Sequence, residues 1–148
     1  MSIRLAIINA TDTFPVRHKI LRKGKPISSC AFHGDDAPQT FHLGAYLNQE
    51  LVGVASFMQE DFTEGAITKT TAYQLRGMAV LETHHKKGVG AKLLAEGERL
   101  IKEKGIALLW MNARIKAVGF YEKFQYKTHG GAFEIAGVGA HYKMYKPL

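Results

Sequence analysis

The segment His84-His85-Lys86-Lys87-Gly88-Val89-Gly90-Ala91 lies between two regular elements that the sequence predicts. Before it, the apolar run Met78-Ala79-Val80-Leu81 is typical of a buried strand. After it, a helix is predicted over Gly88–Lys104, because apolar residues recur at helical spacing: Val89, Leu93, Leu94, Leu100 and Ile101. A strand, a glycine-containing turn and a helix N-terminus together present converging backbone N–H groups, so the segment favours an anion site.

The composition of the turn favours a diphosphate as the anion. Gly88 and Gly90 allow the backbone to approach a ligand closely, and Lys86 and Lys87 add positive charge. The glycines lack the full Gly-x-Gly-x-x-Gly spacing of a dinucleotide fold. We therefore predict a cradle for a pyrophosphate-bearing cofactor, against the alternative of a solvated lysine turn that caps the helix.

Length and composition limit the possible classes of protein. A chain of 148 residues favours one domain over residues 1–148. The longest apolar run, Ile106–Met111, is too short for a bilayer, Met1–Ala10 is not a convincing signal peptide, and no membrane partner is predicted. The single cysteine, Cys30, suits a reducing compartment, so a cytoplasmic location is expected.

The charge balance points to anionic ligands. The net charge of +7 favours either nucleic acid or a polyphosphate. The basic residues are scattered rather than arranged in a stripe with interleaved aromatics, so no nucleic-acid partner is predicted. The seven histidines and Cys30 form no metal-ligand spacing, so no metal is predicted.

The rest of the chain alternates between strand and helix patterns, and strand–helix–strand order around Gly88–Lys104 predicts a parallel crossover. The predicted elements are a strand at Ile3–Ile8, a helix at Thr13–Arg22, an extended piece at Ile27–Phe32, a hairpin of Phe41–Asn48 and Leu51–Gln59, a turn at Asp61–Gly65, a strand at Thr68–Leu81, a strand at Ile106–Asn112, a helix at Ala113–Phe124, and closing strands at Tyr126–Phe133 and Gly139–Lys146.

Four motifs resemble the GNAT superfamily of acetyl-CoA-dependent N-acetyltransferases. The likeness covers about residues 70–148 and includes the family signature Arg/Gln-x-x-Gly-x-Gly/Ala, followed at the right distance by Phe-Tyr-Glu-Lys-Phe. The motifs are Arg76-Gly77-Met78-Ala79-Val80, His85-Lys86-Lys87-Gly88-Val89-Gly90, Trp110-Met111-Asn112-Ala113-Arg114 and Ala117-Val118-Gly119-Phe120-Tyr121-Glu122-Lys123-Phe124-Gln125-Tyr126. Three positions depart from the family pattern: His85 occupies a position where Arg or Gln is usual, and Lys86 and Gln125 occupy positions where glycine is usual.

The resemblance implies a fold and a function. The fold is α/β and GNAT-like, a mixed, bent β-sheet of six or seven strands flanked by helices on both faces. The function is transfer of an acetyl group from acetyl-CoA to a primary amine by direct attack in a ternary complex. The alternative is a catalytically idle sensor domain that binds CoA or another polyphosphate.

The resemblance also assigns the cofactor contacts. The backbone of the turn that opens the predicted helix would hold the CoA diphosphate. The preceding strand would pair with pantetheine through its main chain, and an N–H near Val80 would face the thioester oxygen. The residues so implied are Met78, Ala79, Val80, His85, Lys86, Lys87, Gly88, Val89, Gly90, Ala91, Asn112, Phe120 and Lys123. For Asn112 and Lys123, a turn-forming or solvated role is the competing interpretation.

Tyr121 is implied as the general acid that protonates the departing CoA thiolate. The base that deprotonates the amine is not identified: Glu82 and His141 are the candidates, Glu134 is a weaker one, and a relay through water is also open. The acceptor amine would be bound by the first half of the chain, around Arg17–Arg22 and Cys30–Asp36, and by the closing strands. A homodimer is left open by the sequence.

Overall fold

The computed structural model describes residues 2–64 and 68–148. Its strands and helices are β1 (Ile3–Ile8), α1 (Phe14–Leu21), β2 (Phe41–Leu47), β3 (Glu50–Gln59), β4 (Phe62–Glu64), β5 (Thr68–Thr70), β6 (Tyr73–Val80), α2 (Val89–Glu103), β7 (Leu108–Arg114), α3 (Val118–Glu122), β8 (Lys127–Ile135) and β9 (Gly139–Pro147). Short 3-10 helices occur at Ala10–Thr13, Ile27–Cys30, Glu82–His84 and Ile115–Ala117. None of the helices in the described ranges has the length and hydropathy needed to cross a membrane.

Seven strands form one mixed sheet in the order β1-β2-β3-β6-β7-β9-β8, and β4 pairs with β5 in a separate hairpin. The pairing of β6 with β7 is parallel, whereas β7 and β9 run antiparallel. The predicted α/β fold, with a mixed sheet of six or seven strands flanked by helices, is confirmed. The chain divides into two compact units, residues 1–59 with 75–100 and residues 60–74 with 101–148, which are described separately below.

In the first unit, α1 and α2 lie on opposite faces of β3. Val54 of β3 packs in a cluster with Val16 of α1. Gly53, which precedes Val54 in the strand, faces α2, since a Cβ added there would lie 2.6 Å from Cγ1 of Val89. Because successive residues of a strand point to opposite faces, the two helices cover the two sides of the strand.

Gly97 allows α2 to pack closely on β3. A Cβ at this position would lie 2.5 Å from Cε1 of Phe57, whose side chain is fully buried. We expect Gly97→Ala to lower the free energy of unfolding by about 2 kcal/mol, because overpacking outweighs the helix propensity of alanine. Urea denaturation measures this.

Gly119→Ala in α3 is the matched control, since a Cβ there meets no heavy atom within 4 Å. It should leave stability unchanged or raise it by up to about 1 kcal/mol. If Gly97→Ala were as stable as the control, the close packing of α2 on β3 would be refuted.

In the second unit, aromatic side chains join the β4–β5 hairpin to the sheet. The ring centroid of Phe62 lies 5.9 Å from that of Trp110 and 5.2 Å from that of Tyr145. The indole N–H of Trp110 donates to the carbonyl of Glu60 at 2.9 Å. Burial of Phe62 against these rings fixes where the hairpin lies on β7 and β9.

Four predicted elements differ from the structure. The expected strand Thr68–Leu81 is interrupted between β5 and β6, and the expected turn Asp61–Gly65 contains β4, with Gly65 outside the described residues. The expected extended piece Ile27–Phe32 begins as a 3-10 helix, and the first residues of the expected helix Ala113–Phe124 belong to β7 and a 3-10 turn. The breaks within these segments depend on tertiary contacts, which periodicity alone does not predict.

Candidate active site

The turn between β6 and α2 is anchored to the end of β6. Nε2 of His85 lies 2.8 Å from the carbonyl oxygen of Val80. Because a carbonyl can only accept, Nε2 carries the hydrogen and donates. The N–H of Leu81 donates to the carbonyl of Val52 in β3 at 2.9 Å. The side chain that departs from the family pattern at position 85 therefore ties the turn to the strand it follows.

The backbone of the turn has the geometry of an anion site. Lys86 and Gly88 have φ angles of 65° and 80°, in the left-handed region. The N–H of Lys92 donates to the carbonyl of Gly88 at 3.1 Å, so the amides of Val89, Gly90 and Ala91 precede the first intrahelical donor. Left-handed residues ahead of a helix N-terminus turn successive N–H groups toward one point, and that point attracts an anion.

Two of the three departures from the family pattern share one backbone property. Lys86 and Gln125, which stand where glycine is usual, both have positive φ angles, at 65° and 73°. The backbone thus retains the conformation that a glycine would favour, at a cost of about 1–2 kcal/mol for each non-glycine residue.

Gln125→Gly should therefore stabilise the protein. We expect the free energy of unfolding to rise by about 0.5–1 kcal/mol, because relief of the left-handed strain exceeds the added entropy of the unfolded chain. Gln59→Gly, at the end of β3 with an ordinary φ, should lower it by a similar amount. Equal destabilisation of both variants in urea titrations would contradict this account of position 125.

Tyr121 is a buried phenol in the second unit, with 8% of its surface exposed. Its ring makes edge contacts with Phe120 and Tyr126, at centroid distances of 5.2 Å and 5.9 Å. Burial raises the pKa of Tyr121 to about 12. Because its pKa is raised, the Tyr121 hydroxyl keeps its proton at neutral pH and can donate it to a ligand.

Asn112 of β7 carries an unsatisfied polar atom. Its Oδ1 is buried and accepts no hydrogen bond from the residues that the structure describes. Buried acceptors without a partner are rare in folded proteins, so a ligand N–H is the natural donor here. The amide groups of pantetheine are donors of this kind, and the residues present therefore fit CoA.

His141 of β9 is buried, with 4% exposed. Its Nδ1–H donates to the carbonyl of Gly139 at 2.8 Å, which leaves Nε2 as the basic nitrogen. His141 pairs with Arg114 across the β7–β9 ladder, and Asn112 lies two residues from Arg114, so these three side chains share one face.

Tyr126, which lies against Tyr121, contacts a residue on the other face of β9. Tyr121 lies against Tyr126, whose ring centroid is 5.5 Å from Nζ of Lys146. Lys146 is an odd number of residues from His141 on β9 and points to the opposite face. Lys146, and with it the contact to Tyr126, therefore lies on the face of β9 opposite to His141.

The other expected site residues are divided between the two units. Glu82 is exposed in the 3-10 turn after β6, Lys123 is exposed after α3, and Phe120 packs between Tyr121 and Phe124. Met78, Ala79 and Val80 end β6, while the pairs described between β6 and β7 are Tyr73–Leu109 and Gln74–Trp110, at the start of β6.

A buried ion pair near α1 was not predicted from the sequence. The guanidinium of Arg17, which has no exposed surface, donates to both carboxylate oxygens of Asp35 at 2.8 Å and 3.0 Å. Burial acts to raise the pKa of Asp35, but the bonds from Arg17 and from the N–H of Phe32 outweigh it and hold the pKa below its ordinary value.

Three guanidinium groups surround one ring in the first unit. The guanidinium carbons of Arg17, Arg22 and Arg76 lie 3.9, 5.0 and 5.3 Å from the ring centroid of Phe32. Asp35 neutralises Arg17, whereas Arg22 forms no ion pair among the residues described. Arg17–Arg22 and Cys30–Asp36 were expected near the acceptor, but no sequence signal connected Arg76 with them.

Comparisons with known proteins agree with this fold. The sequence profile of the Acetyltransferase (GNAT) family matches residues 8–126. A protein from Bacillus subtilis (strain 168), named Uncharacterized N-acetyltransferase YitI, is 36% identical over 146 residues, which are 99% of this chain and 97% of that protein.

Solved structures show the same fold at low identity. The ribosomal-protein-S18-alanine N-acetyltransferase from Escherichia coli has a TM-score of 0.75 and 15% identity, covering 99% of this chain and 94% of that one. An aminoglycoside 6'-N-acetyltransferase complexed with coenzyme A has a TM-score of 0.72 and 16% identity, covering 97% and 96%.

The fold and the sequence profile are those of an acetyltransferase. More particularly, the chain belongs to the GNAT family, since the family profile covers most of its length and a relative matches nearly all of it.

Proposed function

We propose that this protein transfers an acetyl group from acetyl-CoA to a primary amine by direct attack in a ternary complex. The observation that carries the proposal is the left-handed turn at Lys86 and Gly88, which directs backbone amides toward one point at the start of α2. Only a ligand with a strong, compact anion, such as the CoA diphosphate, uses such a turn fully.

The cofactor contacts follow the order of the chain. The amides from Lys86 to Ala91 bind the diphosphate, while His85 ties the turn to Val80 through its ring. The main chain of Met78, Ala79 and Val80 binds pantetheine. The unsatisfied Oδ1 of Asn112 accepts from a pantetheine amide. Phe120 packs beside Tyr121, and the family resemblance assigns the exposed Lys123 to the adenosine 3′-phosphate, with a solvated surface charge as the alternative role.

The reaction is a single displacement. The amine nitrogen attacks the thioester carbon, a C–N bond forms, and charge on the carbonyl oxygen is stabilised by an N–H near Val80. The C–S bond then breaks, and the thiolate takes the proton of the Tyr121 hydroxyl. The amine transfers its surplus proton to a base. Proton exchange with water then returns the base to its starting form and Tyr121 to the phenol, so the sum is conversion of amine and acetyl-CoA into amide and CoA.

His141 is our preferred base. Its Nδ1–H donates to the carbonyl of Gly139, so Nε2 is the nitrogen that can accept a proton. Glu82 is exposed in a surface turn, and Glu134 is exposed in β8, which favours solvated roles for both. A water relay remains compatible with His141 as the final acceptor.

The acceptor is an amine that also carries a negative charge. The Arg22 guanidinium lies beside Phe32, and the Arg76 guanidinium, which also donates to the carbonyl of His33 at 3.3 Å, lies against the same ring. The nearby carboxylate of Asp35 is already occupied by Arg17. Two partly buried like charges on one ring favour an anionic ligand, and guanidinium forks match carboxylate geometry.

Arg22→Gln and Arg76→Gln should each raise KM for a carboxylate-bearing amine about 10- to 100-fold, because each removes a charge-assisted contact. KM for acetyl-CoA should stay within twofold. Arg4→Gln is the control, since Arg4 lies 4.4 Å from the ring of Tyr46 and makes the same kind of contact elsewhere in the unit. Equal KM values for all three variants would contradict an anionic acceptor.

Turnover of an amine panel tests the proposed function. CoA release is measured with acetyl-CoA and matched pairs of amines, such as glutamate with glutamine and glycine with glycinamide. Acetylation of the carboxylate-bearing members supports the proposal, and CoA binding without turnover of any amine favours the sensor alternative. We also propose that residues 1–148 form a single domain, that the protein is cytoplasmic and that it forms a homodimer.

A further inference from the structure

We infer that Ser56 and His42 are positioning residues for the amine acceptor, because they hold the segment that carries Phe32. The ring of Phe32 in turn supports Arg22 and Arg76. The inference rests on the proposed function, in which the acceptor binds at these two guanidinium groups.

Four buried side chains form one hydrogen-bonded network. Nη2 of Arg17 donates to Oγ of Ser56 at 2.8 Å, and Oγ lies 2.6 Å from Nδ1 of His42. Ser56 has no exposed surface, and His42 and Asp35 expose 4% and 7%. The members come from α1, the segment after Cys30, β2 and β3, so the network joins elements that are distant in sequence.

The network holds the Phe32 segment at three backbone points. Arg17 donates to the carbonyl of Cys30 at 2.8 Å, and the carboxylate of Asp35 accepts from the N–H of Phe32 at 2.8 Å. Nε2–H of His42 donates to the carbonyl of Asp35 at 3.0 Å. The segment is thus fixed before, at and after Phe32, while the Arg17 guanidinium lies against the ring.

The donor and acceptor pattern assigns a specific task to Ser56. Because His42 uses its Nε2–H for a carbonyl, the matching tautomer accepts at Nδ1 from the hydroxyl of Ser56. The same oxygen accepts from Arg17. Ser56 therefore bridges His42 and Arg17, and no apolar side chain can form both of these hydrogen bonds.

Ser56→Ala is the first test. We expect KM for a carboxylate-bearing amine to rise about tenfold, with kcat and KM for acetyl-CoA within twofold, because the loss is confined to acceptor placement. Ser29→Ala is the matched control: its hydroxyl donates to the carbonyl of Pro26 at 2.6 Å, on the exposed part of the same chain region. It should leave all three constants unchanged.

Phe32→Leu tests the route by which Ser56 acts. The ring is partly buried rather than in the core, so this variant is expected to fold even if Ser56→Ala does not. It should raise the acceptor KM at least as much, and the double variant should raise it no further, because both changes remove the same support. Additive effects, or an unchanged KM in either single variant, would overturn the inference.

NMR separates this inference from the proposed function. The Nε–H signals of Arg22 and Arg76 experience the ring current of Phe32, so Ser56→Ala should shift them and Ser29→Ala should not. If wild type acetylates no amine but these shifts occur, the proposed function fails and the positioning holds. If amines are acetylated while the signals stay in place, the positioning alone fails.

Discussion

Tyr121→Phe is expected to lower kcat about 100- to 1000-fold while the dissociation constant for acetyl-CoA changes less than twofold. The substitution removes the hydroxyl that we propose as proton donor to the thiolate, and it keeps the buried ring and its contacts with Phe120 and Tyr126. A loss confined to turnover is the signature of a group that acts in the transition state. Steady-state kinetics and calorimetry measure the two quantities separately.

Tyr126→Phe is the matched control, because it removes a hydroxyl from the buried ring next to Tyr121. Its kcat should stay within a few fold of wild type. A Tyr121→Phe enzyme with full turnover would eliminate the general acid, and a wild type that binds CoA without turnover would instead fit the sensor alternative.

The pH dependence of wild type should reflect the buried phenol. Burial raises the pKa of Tyr121 to about 12, so the protonated form persists to higher pH than for an exposed tyrosine. Activity should therefore rise as the base loses its proton and show no acid-group decline up to pH about 10, the ordinary pKa of tyrosine. A decline between neutral pH and that value would contradict the assignment.

Asp35→Asn is expected to lower the free energy of unfolding by about 3–5 kcal/mol, because it leaves the fully buried guanidinium of Arg17 without its counterion. For a domain of this size the melting temperature should fall by about 10 °C. Asp36→Asn is the control: the neighbouring carboxylate is exposed, and its loss should change stability by no more than about 0.5 kcal/mol.

The difference between wild type and Asp35→Asn should depend on pH. The pKa of Asp35 is lower in the folded chain than in the unfolded one, so the unfolded state binds the proton more readily. The stabilisation is complete above the unfolded pKa of about 4 and is lost as pH falls through the folded pKa. A gap that stayed constant down to the lowest measurable pH would contradict the ion pair.

The elements that the sequence predicted correctly are those with strong periodicity or turn chemistry. The helix expected at Gly88–Lys104 is α2, Val89–Glu103, because its apolar residues repeat at helical spacing and glycines bound it. The hairpin of Phe41–Asn48 and Leu51–Gln59 is β2 and β3, since alternating apolar residues and a short turn specify both partners.

The part of the candidate site that is contiguous in sequence could be predicted, whereas the contacts between residues distant in sequence could not. The turn from His85 to Ala91 is local, so its order with β6 and α2 could be expected from the sequence. By contrast, Arg17 and Ser56 are 39 residues apart, and a lone arginine in a sequence is typically a solvated charge. Only the tertiary structure shows that Arg17 is buried and that Phe32 joins it to Arg22 and Arg76.

The central claim is that backbone amides of the turn before α2 bind the diphosphate of CoA. Its most direct test is an amide NMR titration of the uniformly labelled protein with CoA and, separately, with pantetheine, which lacks the diphosphate. We predict saturable binding of CoA with large shifts of the amides from Lys86 to Ala91, and no comparable shifts of these amides with pantetheine. CoA binding that left these amides unchanged, or an absence of binding, would contradict the account.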